Sequence, residues 1–218
     1  MKKTIILLVA FCLLLFVSSC KNDIDLEMYL SEKRTAVYFV KGEDYSLTVY
    51  GEEREDPFIS DGYVGSAKKF ITVRLEDYQK SLDDASVTIT FDGVSLTGKF
   101  EYSPLNGKFC IELETDSLPT STQITATVKN GGEEKTFTLQ GYALEGVDYK
   151  TALSSVSKTA KTEIENMLSQ TSSLEVRLRI ILQEDRVYYY VSLIDKTGKT
   201  LAYLVDGANG QILASKTI

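Results

Sequence analysis

The chain has 218 residues, 43% of them hydrophobic and 25% charged, a composition that is typical of a folded protein and excludes wholesale disorder. Its formal net charge of −7 argues against nucleic acid or an anionic lipid surface as the main partner. The chain has no histidine, which excludes Ser-His-Asp and Cys-His catalytic sites and leaves no ordinary zinc or haem site. No metal or other cofactor is therefore predicted.

The first 19 residues predict an export signal. Lys2 and Lys3 precede an unbroken apolar run at 5–17, which has the length of a signal-peptide core and is short for a membrane-spanning helix. The run ends in Val-Ser-Ser-Cys at 17–20, which resembles the lipobox of bacterial lipoproteins. The resemblance implies cleavage before Cys20, lipid on its sulfur, and an anchor on the extracytoplasmic face of the cell membrane. The alternative is an incidental cysteine after an uncleaved anchor.

Residues 20–34 are polar and charged, with a few apolar residues interspersed, and predict a tether between the lipid and the folded part that has room for one short helical turn. Cys12 lies within the signal, so Cys110 is the one thiol left beyond Cys20, and no intramolecular disulfide can form. A reactive thiol needs a nearby base. Because the chain has no histidine, Cys110 is interpreted as a small strand residue.

Residues 35–146 predict a β-sandwich. Apolar side chains alternate with polar ones, which is the pattern of antiparallel strands with one buried face. Beyond a first run at 37–40, the strand-like runs are 45–50, 69–76, 86–91, 95–102, 108–114, 123–129 and 135–140. Asp-Gly and Asn-Gly turns separate several of them. The pattern resembles an immunoglobulin-like or fibronectin-like bacterial module. The Cys…Trp…Cys pattern that is typical of immunoglobulin domains is absent, because the chain has no tryptophan.

One long loop is predicted within the sandwich, at 51–65. It contains four acidic and two aromatic residues: Glu52, Glu53, Glu55, Asp56, Phe58 and Tyr63. Such a loop could bind a partner or hold calcium weakly, or it could be a solvated loop whose aromatic rings pack on the sandwich. No Asp-x-Asp-x-Asp-Gly pattern supplies the converging oxygens that calcium needs, so the solvated loop is favoured.

Residues 147–218 predict an α+β domain in which one helix packs on an antiparallel meander. The segment 148–170 has no Gly or Pro and carries apolar residues three or four positions apart, with Asp148 as the helix N-cap. The strands of the meander are predicted at 174–182, 187–194, 201–205 and, as a short edge strand, 211–215. The whole chain is thus expected to be mainly β.

The C-terminal tract carries a second family resemblance. It reads YYYVSL at 188–193, IDKTG at 194–198 and YLVDGANGQIL at 203–213. This is similar to a PepSY domain, with its helix, Tyr-x-Val strand, glycine turn and Val-Asp-Ala-x-Thr-Gly-x-Ile-Leu pattern, although Gly207 and Asn209 replace the Ala and Thr. The resemblance implies binding or restraint of an envelope peptidase or another envelope protein, and no enzymatic chemistry.

Three tyrosines are the candidate partner-binding residues: Tyr188, Tyr190 and Tyr203. Tyrosine is favoured at interfaces because its large side chain loses little entropy on binding. The alternative is that these rings simply cover the helix, since tyrosine also suits half-buried strands.

Two short motifs offer an enzymatic alternative. Ser155-x-x-Lys158 and the Lys-Thr-Gly at 196–198 match two of the three motifs of penicillin-binding enzymes. No Ser-Asp-Asn occurs, and the Lys-Thr-Gly lies in a predicted turn, where Gly198, like Gly210, is expected to adopt angles that other residues resist. No catalytic residue is therefore assigned.

The sequence thus predicts a non-enzymatic envelope lipoprotein that binds a protein through its PepSY-like domain. The alternative is a structural or adhesive surface lipoprotein whose sandwich binds cell-wall glycan or acts as a spacer. A small hydrolase is the third hypothesis.

Overall fold

In the computed structural model, the described residues are 23–57, 59–78, 82, 84–105, 107–142, 146–183 and 186–218. The predicted signal at 1–19, the predicted lipidation site Cys20 and the loop residue Phe58 lie outside them. Within the described ranges, no helix has both the length and the apolar character that crossing a bilayer requires.

The described chain is mainly β-structure, as predicted. The strands are β1 (Leu30–Lys41), β2 (Tyr45–Glu55), β3 (Ala67–Asp77), β4 (Ala85–Phe91), β5 (Val94–Lys99), β6 (Glu101–Ser103), β7 (Lys108–Thr115), β8 (Gln123–Asn130), β9 (Glu133–Gly141), β10 (Glu175–Gln183), β11 (Arg186–Ile194), β12 (Thr200–Asp206) and β13 (Ile212–Thr217). A 3-10 helix spans Leu26–Tyr29, and two α-helices follow β9: α1 (Tyr149–Thr159) and α2 (Lys161–Thr171).

Strand β1 joins the two halves of the molecule. One edge of β1 pairs with β2 along its length, while the other edge pairs with β10 near Leu30 and with β9 near Tyr38. The β1–β10 pairing is parallel, and the other pairings among the described strands are antiparallel. The strands form one sheet in the order β13-β12-β11-β10-β1-β2-β3-β7-β6, and a branch β9-β8-β4-β5 curls back until β5 lies against β7. The resulting sheet is nearly closed.

Two hydrophobic clusters lie within this sheet. The first is enclosed by β1 to β9, where Val49 and Val73 meet Val87 and Ala126 from the opposite layer. These residues occupy alternate positions of their strands, so one face of each strand is buried. The second cluster lies between the helices and β10–β12. Its members from the helices and the strands include Val156, Ile164, Val176, Val191 and Val205.

The predicted tether is part of the fold. Asp25 caps the 3-10 helix by accepting a hydrogen bond from the backbone N–H of Glu27 at 3.0 Å. Leu26 is only 2% exposed and packs in the helical cluster, and β1 begins at Leu30. The tether prediction is therefore corrected for residues 26–34. Charged side chains in the first half of β1 concealed the alternation that marks a strand.

The single predicted helix is two helices. Ala160 leaves the helical region, with φ −96° and ψ 19°, and it both ends α1 and precedes α2. Val156, Ala160 and Ile164 are all fully buried at four-residue spacing, so the apolar stripe continues across the break. A pattern based on spacing cannot detect such a break.

Candidate binding surface of the C-terminal strands

The three predicted tyrosines do not share a surface. Tyr203 is buried in the helical cluster and pairs across the strands with Val191. Tyr188 and Tyr190 are half-buried and lie on the opposite face, because the fully buried Tyr189 between them points toward the helices. The grouping of the three is corrected: Tyr203 belongs to the core, and Tyr188 and Tyr190 belong to the face turned away from α1 and α2, here called the outer face.

The outer face carries a ladder of alternating carboxylates and guanidinium groups across β10, β1 and β2. Its members are Glu175, Arg177, Arg179, Glu32, Arg34, Glu52 and Arg54, here called the charge ladder. Arg179 binds both oxygens of Glu32 at 2.6 Å. Arg34 Nη2 lies 2.6 Å from Glu52 Oε2, and Arg54 Nε lies 3.5 Å from Glu52 Oε1.

The carboxylates of this ladder are buried and satisfied. Burial alone would raise the pKa of Glu52, but the charge of Arg34, the hydroxyl of Thr72 at 2.7 Å and the charge of Arg54 together hold that pKa below its usual range. Among the described residues, no buried side-chain polar atom lacks a hydrogen-bond partner. Buried ions are tolerated only when they are paired in this way.

A cavity of about 270 Å³ opens on this ladder, lined by three arginines and three acids: Arg34, Arg54, Arg179, Glu32, Glu52 and Glu112. Two of the arginines also stack on aromatic rings, with Arg34 Cζ 4.6 Å from the ring centre of Tyr50 and Arg54 Cζ 4.2 Å from that of Phe70. The charges balance within the cavity, so it presents no unpaired charge to a ligand. The ladder acts as a structural joint.

The ladder was not predicted from the sequence. The signal that marks it is opposite charge at alternate positions within otherwise apolar strands, as in Glu32 and Arg34 or Glu52 and Arg54. Residues two apart share one face of a strand, so such pairs indicate a charged face opposite a buried one.

The predicted acidic loop is shorter than expected and lies against the sheet. Glu52, Glu53 and Glu55 belong to β2. The loop that follows is held by hydrogen bonds: the N–H of Gly65 donates to Glu55 Oε1, and the N–H of Gly62 donates to Glu175 Oε2 at 3.3 Å. No group of three or more potential metal ligands occurs among the described residues. The loop is therefore attached to carboxylates of the sheet at two glycine N–H groups, and most of its described side chains are exposed. This agrees with the favoured solvated loop, except that the Tyr63 ring is 54% exposed and is not buried on the sheet.

We expect Glu55→Gln to raise the free energy of unfolding at pH 7. Burial raises the pKa of Glu55, and the nearby charges of Glu175 and Asp61 add to this, outweighing the N–H of Gly65. A carboxyl whose folded pKa is raised weakens the fold above that pKa, because it is then ionised in a place that favours the neutral form.

The stabilisation should shrink as the pH falls through the folded pKa toward the ordinary glutamate range, where Glu55 is protonated in both states. Urea denaturation at pH 7 and at pH 4 measures the difference. Glu53→Gln is the matched control, because Glu53 lies in the same strand, is partly exposed and pairs with Lys33, which is partly exposed as well. A stability difference for Glu55→Gln that stays constant with pH would contradict the assignment.

Strand β13 forms the end of the sheet, as the sequence predicted. Thr200 and Ile218 exchange both backbone hydrogen bonds, at 3.1 and 2.8 Å. In an antiparallel pair such positions alternate, so Lys216 and Ala214 also bond to β12, whereas Ser215 and Thr217 turn their N–H and C=O groups away from it. No described strand pairs with this outer edge.

The side chains of β13 are largely exposed. Leu213 is 48% exposed, at a bulge between Ala214 and Ile212, and Ile218 is 66% exposed. On the outer face, Ala214 lies beside Leu204, and Leu204 lies beside Tyr190. The edge therefore combines outward-facing backbone groups with two exposed apolar side chains. On the outer face, the neighbouring side chains of Ala214 and Leu204 connect this edge to Tyr190, one of the predicted tyrosines.

The two penicillin-binding motifs lie far apart. Ser155 of α1 is close to Gly210 in the β12–β13 turn. The Lys-Thr-Gly lies in the β11–β12 turn, where Asp195 Oδ1 accepts hydrogen bonds from the N–H and hydroxyl of Thr197 at 2.8 and 2.6 Å. The two turns are at opposite ends of the seven-residue strand β12, about 20 Å apart at the usual rise.

Two further residue predictions are confirmed. Gly198 has φ +81° and Gly210 has φ +75°, which is the left-handed conformation that glycine adopts most readily. Cys110 is a partly buried residue of β7 with a free thiol.

No protein-family model matches the chain, and no curated protein matches its sequence significantly.

Proposed function

We propose that this protein is a non-enzymatic lipoprotein of the bacterial envelope, held on the extracytoplasmic face of the membrane by lipid on Cys20. It binds an envelope peptidase or another envelope protein through its C-terminal part. The observation that carries the binding role is the free edge of β13, with its outward backbone groups and exposed Leu213 and Ile218.

The same proposal describes the C-terminal part as PepSY-like and the N-terminal part as an immunoglobulin-like sandwich. What supports the first is the packing of α1 and α2 on one face of the antiparallel strands β10 to β13. What supports the second is the shared cluster between β2–β3 and the β4–β8 layer.

Binding would occur by strand addition. An extended segment of the partner lies along β13 and exchanges hydrogen bonds with the backbone of Ser215 and Thr217. Backbone pairing supplies affinity in this mode, and side chains at alternate positions supply specificity. On the outer face the added strand would lie beside Ala214 and Lys216, in the row that continues to Leu204 and Tyr190.

We expect Ser215→Pro to weaken partner capture at least tenfold, which is about 1.4 kcal/mol. Proline removes one outward N–H and leaves the bonds to β12 intact, because edge positions tolerate proline. The measurement is quantitative capture from envelope extract by the full-length lipidated chain, comparing each captured protein between variants.

Ser215→Ala is the matched control, since it removes the hydroxyl and keeps the N–H, and it should capture as the unchanged protein does. Equal capture by Ser215→Pro would contradict strand addition. If the chain instead sediments with purified cell-wall glycan and Ser215→Pro has no effect, the structural or adhesive alternative is favoured.

A further inference from the structure

We propose that the corner formed by the C-terminal end of α1 and the start of α2 faces the lipid bilayer, at a distance fixed by the chain itself. This inference rests on the proposed lipid anchor at Cys20. It assigns a membrane-facing surface to the fold and replaces the predicted tether by a short, docked connection.

The segment that follows the anchor is docked along α1. Ser157 donates its hydroxyl to the backbone carbonyl of Ile24 at 2.7 Å. Tyr149 donates its hydroxyl to Glu27 Oε1 at 2.7 Å, and Lys150 Nζ lies 3.0 Å from Glu27 Oε2. These contacts are joined by the buried side chain of Leu26, so both ends of the segment are held.

The direction of the segment determines which end of α1 is near the anchor. Glu27 contacts Tyr149 and Lys150 in the first turn of α1, whereas Ile24 contacts Ser157 in its last turn. The chain therefore runs antiparallel to α1. Traced backward from Ile24, it arrives beside the α1–α2 corner.

The connection to the lipid is too short to let the fold turn away. Only Lys21 and Asn22 separate Cys20 from Asp23. Three Cα–Cα steps of a fully extended chain span about 11 Å, roughly the diameter of one helix. Once the acyl chains of Cys20 are inserted, Asp23 must lie within that distance of the position where the Cys20 backbone meets the headgroups.

The proposed orientation does not depend on electrostatic attraction to the membrane. The segment and the corner hold groups of both signs, with Asp23 on the segment and Lys158 and Lys161 at the corner. The orientation depends instead on the short connection to Cys20 and on the docking of residues 23–29. A consequence is that the outer face lies on the opposite side of the sheet from the anchored segment.

Fluorescence quenching by lipid tests the orientation. Full-length lipidated protein carrying Cys110→Ser receives one labelled cysteine, at exposed Thr159 beside the corner or at exposed Thr125 of β8 in the other half. The protein is reconstituted in phosphatidylcholine vesicles that contain a headgroup nitroxide quencher. We expect the label at Thr159→Cys to be quenched several-fold more than the label at Thr125→Cys.

A linker variant provides the control. Twelve Gly and Ser residues inserted between Asn22 and Asp23 add a coil of about 20 Å, which should bring the two quenching values close together. Equal quenching at the native length, with the protein still bound to vesicles, would overturn the orientation and leave the anchor intact. Vesicle binding by a chain produced from residue 20 onward, which has neither the signal nor the lipid, would overturn the anchor, and the orientation with it.

Discussion

Arg179→Leu should lower the free energy of unfolding by about 2–3 kcal/mol, which is less than the full cost of breaking a buried ion pair, because the Arg179 side chain is 37% exposed and solvent weakens the interaction. Glu32 is only 1% exposed, and Arg179 binds both of its oxygens at 2.6 Å. Without Arg179 the nearest guanidinium nitrogen recorded for Glu32 is Arg34 Nη2 at 3.6 Å. The carboxylate would remain buried with too little compensation.

The location of this pair increases its importance. Glu32 lies in β1 and Arg179 in β10, the two strands that pair in parallel and join the halves of the molecule. The interaction favours the charged form of Arg179, because its hydrogen bonds to Glu32 raise the pKa of the guanidinium group. The loss should therefore appear as earlier separation of the C-terminal strands in hydrogen exchange, as well as a lower urea midpoint.

Two control variants distinguish the effect of an unpaired buried charge on Glu32 from the effect of lost packing around Arg179. Glu32→Leu combined with Arg179→Leu removes both charges and should recover most of the stability, since apolar replacement of a whole buried pair is often neutral or stabilising. Lys129→Leu breaks an exposed pair with Glu134 and should cost less than about 1 kcal/mol. If the double variant is no more stable than Arg179→Leu, the explanation that an unpaired buried Glu32 causes the loss of stability is wrong.

Strands that bury one face along their whole length could be predicted from the sequence. In β4 the side chains of Ala85, Val87, Ile89 and Phe91 are buried and those between them are not, so the period of two is complete within seven residues. The prediction at 86–91 needed no information from elsewhere in the chain. Strands β7, β8, β10 and β11 also lie within a residue or two of their predicted bounds.

Features that depend on distant residues could not be predicted. The first half of β1 is a strand because β10 and β2 lie on either side of it, and its charged residues are paired by arginines and acids from those strands. Read alone, Glu32 and Arg34 look solvated. The two strands of the parallel pair, β1 and β10, are more than 140 positions apart in the sequence. The periodicity of a short stretch of sequence cannot predict a contact over that separation.

Only part of the candidate surface could be predicted, because some of its features depend on one strand alone and others depend on how neighbouring strands pair. Alternation within β11 correctly separated Tyr189 from its neighbours. Placing Tyr203 required the register between β11 and β12, which pairs it with buried Val191. Strand β13 was predicted as a short edge strand, and it lies at one end of the described sheet. The direction of its backbone groups depends on the hydrogen-bonding phase with β12, which the sequence does not encode locally.

Leu26→Ala should lower the free energy of unfolding by about 2–5 kcal/mol, the range for removing a large aliphatic side chain from a core. Leu26 is 2% exposed and packs in the same cluster as Leu153 and Val176. A residue in a polar tether would show no such effect. Urea denaturation followed by circular dichroism measures the change on the chain without its lipid.

Met28→Ala is the matched control, because Met28 lies in the same 3-10 helix and is 75% exposed, so its loss should stay within about 0.5 kcal/mol. Equal, small effects of the two substitutions would contradict the docking of the N-terminal segment. A large effect at Leu26 alone would establish that the fold begins within a few residues of the proposed anchor. That result would also bear on binding, since a segment fixed to α1 leaves the β13 edge no freedom to move away from the membrane on a flexible tether.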